Sequence, residues 1–240
     1  MTNEYVMNEE VVTIPESPLV VGSVATLNHL ACLQPVELPS MCDLLEIRLD
    51  GMAQHMDSLT LELERFKNFP LLFTARGSAE GGIVELSSEE RSEMLLAVAD
   101  KAAWIDVELS AFNELQSAID QIRRRNVGLI LSYHNFEKTP AEFQMQRLVE
   151  LAEEADIVKF AVRHHTVSDF IPCTNIMRKN DRPMSMMGMG DLAPVSRLLY
   201  AQHGSLLNYG YLGDEPTAPG QWPAKMLKEG VSELESISKN

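Results

Sequence analysis

Residues 155–162 read ADIVKFAV, an apolar run of strand-forming residues that Lys159 interrupts. The run is short and lies between Glu153–Glu154 and Arg163, which predicts a strand buried on both faces, as in a parallel sheet. A lysine inside such a strand is poorly solvated, which lowers its pKa. Two interpretations stay open at this point: an amine that forms an imine with a carbonyl substrate, or a lysine at a strand end that reaches water.

Seven further apolar runs recur along the chain at a spacing of about 20–35 residues, the length of one strand–helix–strand step. The eight runs are 19–25, 44–49, 70–74, 104–109, 127–132, 155–162, 183–187 and 205–210. Helical patterns lie between them in 87–101, 111–125 and 140–153, and a fourth, 222–238, follows the last run. Eight alternations predict an α/β fold, a single (β/α)8 TIM barrel with its reactive groups at the C-terminal ends of the strands. A doubly wound open sheet is the alternative.

Two helix starts are specific enough to predict. Ser87 begins the sequence SSEE, which indicates a capping box with Glu90. Thr139 and Pro140 are expected to be the cap and the first residue of another helix. Residues 1–16 are predicted to be a polar N-terminal tail, and residues 17–240 one barrel domain, because no linker rich in Gly, Pro or Ser divides the chain.

The composition excludes several classes of function. Lys and Arg number 20 against 35 Asp and Glu, a formal net charge of −15, which disfavours nucleic acid and anionic membranes as partners. No apolar run approaches the ~20 residues of a membrane span. The three cysteines and six histidines show no metal-type spacing, so we expect no metal site. The cysteines suit a reducing compartment, and we expect a cytoplasmic location. We also expect no cofactor.

Charged residues follow or interrupt several of the predicted strands. Glu46, Arg48 and Asp50 alternate on one face of LLEIRLD, which indicates either a functional site or a structural ion-pair network. Arg76 follows the third run and Glu80 lies in the next loop; alone, such residues are often a surface pair. Asp106 and Glu108 share one face of the fourth run and are expected to direct two more carboxylates into the centre of the barrel. His134 is expected in the loop just past the fifth run, where it could transfer protons.

The last third of the chain offers one misleading motif and two polar positions. Residues 188–193, GMGDLA, fit the G-x-G-x-x-A pattern of dinucleotide-binding turns, but they occur in the penultimate unit and leave too little chain for a second half. The methionines are expected to fill gaps in the packing. Arg197 could hold a carboxylate in a bidentate manner. The stretch 210–221, with Thr217 and Gln221, is either a loop that closes over the barrel mouth or a simple connector.

Taken together, these stretches resemble type I 3-dehydroquinate dehydratase, the Schiff-base form of that shikimate-pathway enzyme. The resemblance runs from about residue 19 to residue 221, through nine short islands in the same order. These islands are 46–50, 74–76 with 80–82, 105–109, 132–136 with 138–140, 155–159, 189–190, 196–197, 204–205 and 218–221.

The resemblance implies the catalytic roles by position. Lys159 is the imine-forming lysine, His134 the general acid and base, and Glu80 the acid that pairs with the histidine. The implied substrate contacts are Glu46, Arg48, Arg76, Arg197, Thr217 and Gln221. Thr217, Asn135 and Ala193 depart from the residues usual in the family. Arg197 and Arg48 are expected to supply the positive field that keeps Lys159 deprotonated at neutral pH.

The implied reaction is the loss of water from 3-dehydroquinate to give 3-dehydroshikimate, and a homodimer is implied as well. Three alternatives remain: another class I Schiff-base barrel such as an aldolase, a nicotinamide-dependent oxidoreductase built on GMGDLA, and a barrel that only binds ligands. The presence of both Lys159 and His134 disfavours the last of these.

Overall fold

The computed structural model describes residues 12–238 and contains an eight-stranded parallel barrel. The strands are β1 (Leu19–Val24), β2 (Leu44–Arg48), β3 (Leu71–Thr74), β4 (Trp104–Glu108), β5 (Gly128–Asn135), β6 (Ile157–Arg163), β7 (Met184–Met189) and β8 (Leu207–Tyr211). They pair in chain order from β1 to β7, and β8 pairs with β1. The predicted (β/α)8 barrel is confirmed, and the open-sheet alternative is wrong.

Serine hydroxyls close the seam between β7 and β8. The backbone N–H of Leu207 donates to Ser185 Oγ at 2.9 Å, and the N–H of Met186 donates to Ser205 Oγ at 2.9 Å. These bonds satisfy backbone donors that a regular strand ladder would otherwise pair. The two serines therefore let the last two strands meet without a regular register.

The α-helices surround the barrel, and the sequence between the strands determines where they begin and end. Two short helices, α1 (Leu27–Cys32) and α2 (Leu38–Met41), follow β1. One helix follows each later strand: α3 (Met56–Leu63), α4 (Ser88–Val98), α5 (Phe112–Arg123), α6 (Glu142–Leu151), α7 (Phe170–Lys179), α8 (Ala193–Gln202) and α9 (Ala224–Ser238). Within residues 12–238, no helix is both long and apolar enough to cross a bilayer.

One of the two predicted helix starts is correct. At α4, the N–H of Ser87 donates to the Glu90 carboxylate at 2.8 Å and the N–H of Glu90 donates to Ser87 Oγ at 3.2 Å, so the capping box is confirmed. The prediction for α6 is wrong, because this helix begins at Glu142. Thr139 is engaged elsewhere: its hydroxyl donates to the Arg163 carbonyl at 2.8 Å and lies 2.7 Å from His164 Nδ1.

Side chains along each strand point alternately out of the barrel and into it, which produces two apolar layers and one polar layer. Outward residues such as Leu45 and Ile47 pack under the helices. Inward residues at the lower strand ends, among them Leu44 and Leu72, fill the barrel floor, against which Val12 and Ile14 pack. Residues 1–11, most of the predicted tail, lie outside the described residues. Above the floor the inward positions become charged, which locates the site.

Candidate active site

Lys159 lies on β6 and is directed into the barrel. Its side chain is only 4% exposed, and Nζ donates to Asp106 Oδ2 at 2.7 Å. Burial lowers the pKa of Lys159; the carboxylates of Asp106 and Glu46 oppose this effect, Arg76 adds to it, and the pKa remains below its ordinary value. The expectation of a buried lysine is confirmed, and the alternative of a lysine that reaches water is wrong.

Asp106 anchors a buried network around the amine. Its Oδ1 accepts from Arg76 at 2.9 Å and from the Ser132 hydroxyl at 2.6 Å. Burial alone would raise the pKa of Asp106, but Arg76 and Lys159 outweigh burial and hold the pKa below its usual range. Arg76 also donates to Glu108 at 3.0 Å. Among the arginines, the one that lowers the pKa of Lys159 most is thus Arg76, which shares Asp106 with the lysine, ahead of the Arg48 and Arg197 expected from the sequence.

His134 belongs to β5 itself and not, as predicted, to the loop after it. The carboxylate of Glu80 accepts from the His134 backbone N–H at 2.9 Å and lies 3.0 Å from Nδ1. The Ser110 hydroxyl orients that carboxylate at 2.8 Å. Burial raises the pKa of Glu80; when its carboxylate is ionised it only accepts, so Nδ1 then carries the proton and Nε2 keeps its lone pair. Burial, then Arg76 and Lys159, lower the pKa of His134 well below its ordinary value.

The register of β5 and β6 relates the two candidate reactive groups. Ser132 lies opposite Lys159, and His134 lies opposite Ala161. The backbone of His134 is therefore one inward step higher in the barrel than that of Lys159, about 7 Å along the strand. A six-membered ring bound between them can meet the nitrogen of Lys159 at one atom and the base at a neighbouring atom.

The polar face of β2 is partly structural. Glu46 accepts from Ser23 Oγ at 2.5 Å and from Thr74 Oγ1 at 2.8 Å. Arg48 holds Asp50 through two hydrogen bonds, at 2.9 and 2.8 Å, and also donates to the Gly81 carbonyl at 2.9 Å. The ion-pair network considered for this stretch therefore exists for Arg48 and Asp50, while Glu46 and Arg48 still line the cavity.

Arg197 on α8 is a buried cation without an acidic partner among the described residues. It is 1% exposed, donates to the carbonyls of Tyr209 and Gly188, and its Nε has no hydrogen-bond partner within residues 12–238. Burial lowers the pKa of Arg197 to about 10. A buried guanidinium with a free donor is suited to an anionic ligand.

The stretch after β8 contributes Thr217, Ala218 and Gln221 to the cavity wall, so it is more than a connector to α9. Gln221 Oε1 accepts from the N–H and the hydroxyl of Thr217, both at 2.8 Å. The Gly190 N–H donates to the Pro219 carbonyl at 3.2 Å, which ties this loop to the one after β7. Because its oxygen is occupied, Gln221 offers a ligand its NH2 group.

The two glycines of GMGDLA are explained by local packing and backbone conformation. A Cβ at Gly188 would lie 2.3 Å from both the His164 ring and Ser196 Oγ, and Gly190 has φ +84°, which favours glycine. The turn thus lets α8 approach the barrel. Within residues 12–238, no group of three or more His, Cys, Asp or Glu side chains could hold a metal ion.

All nine residues predicted for the site line one cavity with about 560 Å³ of empty space, including its opening. The prediction omitted other residues of the wall, and the cavity also lies against Ser23, Gly81, Phe136, Ala161, Met187, Met189, Tyr209 and Ala218. Met187 and Met189, expected to serve packing, form part of this wall. Strand alternation was the signal that could have revealed them, since they are inward positions of β7.

Comparisons with known proteins agree with this geometry. Residues 24–238 match the family model for type I 3-dehydroquinase. A 3-dehydroquinate dehydratase of Methanococcus maripaludis is 33% identical over 197 residues, which cover 78% of this chain and 86% of that protein. One of Methanothermobacter thermautotrophicus is 33% identical over 193 residues, covering 80% and 85%.

Solved structures are similar over almost the whole chain. The 3-dehydroquinate dehydratase of Geobacillus kaustophilus superposes with a TM-score of 0.82 at 25% identity and covers 93% of each chain. The type I enzyme of Clostridium difficile gives 0.79 at 23% identity, with 95% of each chain covered. On the family match and the identity to these relatives, the chain belongs to the type I 3-dehydroquinase family.

Proposed function

We propose that the chain removes water from 3-dehydroquinate to give 3-dehydroshikimate, through an imine between Lys159 and the substrate. The observation that carries the proposal is the buried Lys159, which lies one inward step below His134 of the neighbouring strand, with both residues lining a single cavity. Membership of the type I 3-dehydroquinase family supports the substrate.

The first steps follow from the chemistry of the two groups. The amine of Lys159, once it has lost its proton, attacks the C3 ketone, and water leaves to form an iminium ion. The iminium withdraws electrons and acidifies the C2 protons. Nε2 of His134 removes one of these protons, and the C2–H electron pair forms an enamine.

The second half of the reaction returns the proton. The enamine expels the C1 hydroxyl group as water, with the proton supplied by the imidazolium of His134, and a conjugated iminium remains. Water hydrolyses this iminium, which frees the product and the amine of Lys159. Imine formation releases one water and imine hydrolysis consumes one, so these two steps cancel. The net change is the water lost from C1 and C2 of the substrate.

The binding contacts are assigned from charge. The substrate carboxylate binds the guanidinium of Arg197, whose Nε is unpaired among the described residues. Glu46, Thr217 and Gln221 contact the ring hydroxyls. Arg48 and Arg76, whose donors largely hold Asp50, Asp106 and Glu108, act mainly by shaping the pocket and its positive field.

We also propose a homodimer in the cytoplasm. Helices α6 and α7, joined by the Asn175–Glu142 hydrogen bond at 3.0 Å, carry exposed apolar side chains, namely Phe143 (75% exposed) and Ile171 (58%). The free cysteines, two of them buried, suit a reducing compartment. Sedimentation equilibrium of the purified chain tests the dimer: a mass near 54 kDa, about twice 26.8 kDa, supports it, and the monomer mass contradicts it.

A direct assay tests the function. The purified chain is incubated with 3-dehydroquinate, and the ultraviolet absorbance of the conjugated enone is followed. The Lys159→Ala variant should lose turnover by at least about a thousandfold, while Lys225→Ala, which alters an exposed lysine of α9, should retain it. Wild-type protein that yields no enone contradicts the proposed reaction, and a fully active Lys159→Ala variant contradicts the imine.

A further inference from the structure

Tyr209 is the aromatic residue in direct contact with the amine of Lys159. It occupies an inward position of β8, opposite Val21 of β1, and it is 3% exposed. Nζ of Lys159 lies 3.8 Å from the centre of the tyrosine ring, within the distance at which a cation is attracted to an aromatic face. Apolar surroundings strengthen such an attraction, because water does not compete for the cation.

The surroundings of the Tyr209 hydroxyl indicate that the aromatic ring, and not the hydroxyl, interacts with the amine of Lys159. The hydroxyl oxygen is inaccessible and has no hydrogen-bond partner among residues 12–238, although buried phenols usually find one. Burial, followed by Asp106 and Glu46, raises the pKa of Tyr209 well above its ordinary value, so the group stays neutral. The backbone carbonyl of Tyr209 accepts from Arg197, which fixes the strand at this point.

We propose that the ring face of Tyr209 stabilises the positive charge on the Lys159 nitrogen, both in the ammonium of the free enzyme and in the iminium formed with substrate. This inference rests on the proposed imine mechanism. The nitrogen is neutral in the attacking amine and in the enamine, and the ring favours the charged ammonium and iminium states that lie next to them along the reaction. Tyr209 thereby makes the imine more stable and also holds the nitrogen in place before attack.

The balance of charges around the nitrogen makes this role measurable. The other charged or titratable groups directed toward it come from four different strands or their ends: Asp106, Glu46, Arg76 and His134. The ring adds to the effect of the two acids, since all three favour the charged form. Its removal should therefore lower the pKa of Lys159 beyond the lowering that burial already causes.

Two variants separate the ring from the hydroxyl. Tyr209→Leu removes the aromatic face but keeps an apolar side chain, and Tyr209→Phe keeps the face and removes the unpaired hydroxyl. For each variant, the rate of borohydride trapping with 3-dehydroquinate is measured against pH, and the adduct is mapped by peptide mass spectrometry. Competitive acetylation of Lys159 without substrate gives its pKa independently of activity.

The expected result has a specific form. In Tyr209→Leu the pKa of Lys159 falls by about 0.5–1.5 units, and the trapping rate on the high-pH plateau falls by the matching factor, about threefold to thirtyfold. The two curves coincide on the acid limb, because there the starting state and the product are both cations. Tyr209→Phe stays within about threefold of wild type and is at least as stable to heat.

Other outcomes overturn the inference. A uniform loss of rate at all pH values in Tyr209→Leu, with an unchanged pKa, means that the ring only fills space. A loss in Tyr209→Phe as large as in Tyr209→Leu means that the hydroxyl matters and not the face. If wild-type protein forms no adduct at Lys159, the imine mechanism itself fails. If wild-type protein forms the adduct, but Tyr209→Leu has the same trapping rate and the same pKa of Lys159, only the role of Tyr209 is refuted.

Discussion

Lys159 and Asp106 form an ion pair, with Nζ 2.7 Å from Oδ2, at side chains that are 4% and 0% exposed. The pair holds the lysine in one position, but it also favours the ammonium form, which cannot attack a ketone. Arg76 binds the other oxygen of the same carboxylate at 2.9 Å and weakens this preference. The site thus contains an anion that positions the amine and a cation that limits how strongly the amine keeps its proton.

Replacing Asp106 by Asn should therefore affect stability and ionisation in different ways. Two buried cations lose their shared anion, so we expect the free energy of unfolding to fall by about 3–5 kcal/mol. The pKa of Lys159 should fall further, because Asp106 is the main group that raises it. Denaturant unfolding and competitive acetylation measure the two effects. A variant as stable as wild type, or a pKa of Lys159 that rises, contradicts this account of the network.

Removal of the His134 imidazole should separate imine formation from proton transfer. In His134→Ala the amine of Lys159 remains, so borohydride still traps an adduct, while turnover falls by about 10²- to 10⁴-fold. His203→Gln, at an exposed histidine after α8, is the matched control and should keep the wild-type rate. A rate for His134→Ala within about tenfold of wild type would assign proton transfer to another group.

Arg197 should act mainly on substrate binding. Its replacement by Ala removes the buried guanidinium that we assign to the carboxylate, so KM should rise by about 30-fold or more, with a smaller change in kcat. A substrate analogue whose carboxylate is replaced by a neutral amide should bind wild type and variant with similar affinity. If the variant loses affinity for the amide as strongly as for the acid, Arg197 does not recognise the charge.

His164 should make the fold sensitive to mild acid. Its ring contacts Thr139 and the Tyr200 hydroxyl at 2.7 and 2.8 Å, and burial lowers the pKa of His164 to about 4. The unfolded chain takes up a proton near pH 6.5, whereas the folded chain does so only near pH 4. The free energy of unfolding should therefore fall by about 2–3 kcal/mol as the pH falls from 6.5 to 4.

A variant isolates this contribution from other acid effects. His164→Gln is expected to be less stable overall but to lose the decrease between pH 6.5 and 4, while the exposed His203→Gln keeps it. Asp106 affects this window only near its acid end, because it stays ionised in the folded chain and the unfolded aspartate takes up its proton mainly near pH 4 and below. Chemical unfolding at several pH values provides the measurement, and an identical pH slope in His164→Gln and wild type refutes the assignment.

The sequence predicts the barrel well because each strand is a short apolar run and the runs recur at the spacing of strand–helix units. Lys159 is identifiable for the same reason, as a charge inside such a run. Local signals were less reliable where tertiary contacts compete with them. Thr139 precedes a proline, as the cap residue of a helix would. Its hydroxyl instead contacts Arg163 and His164, which lie far from Thr139 in the sequence.

The wall of the cavity was harder to predict than its charged groups. Asp106 was recognised as an inward acid, but its role as the partner of Lys159 depends on the register of three strands. Tyr209 lies in a run without charges, so nothing in the local sequence distinguishes it from a core residue. Its position against the amine follows only from closure of β8 onto β1.

The most direct test of the central claim is reduction with borohydride in the presence of 3-dehydroquinate, followed by peptide mass spectrometry. The account predicts one substrate-derived adduct per chain, located on Lys159, and no adduct in Lys159→Ala. Full turnover with no trapped adduct, or an adduct located on a different lysine, would contradict it.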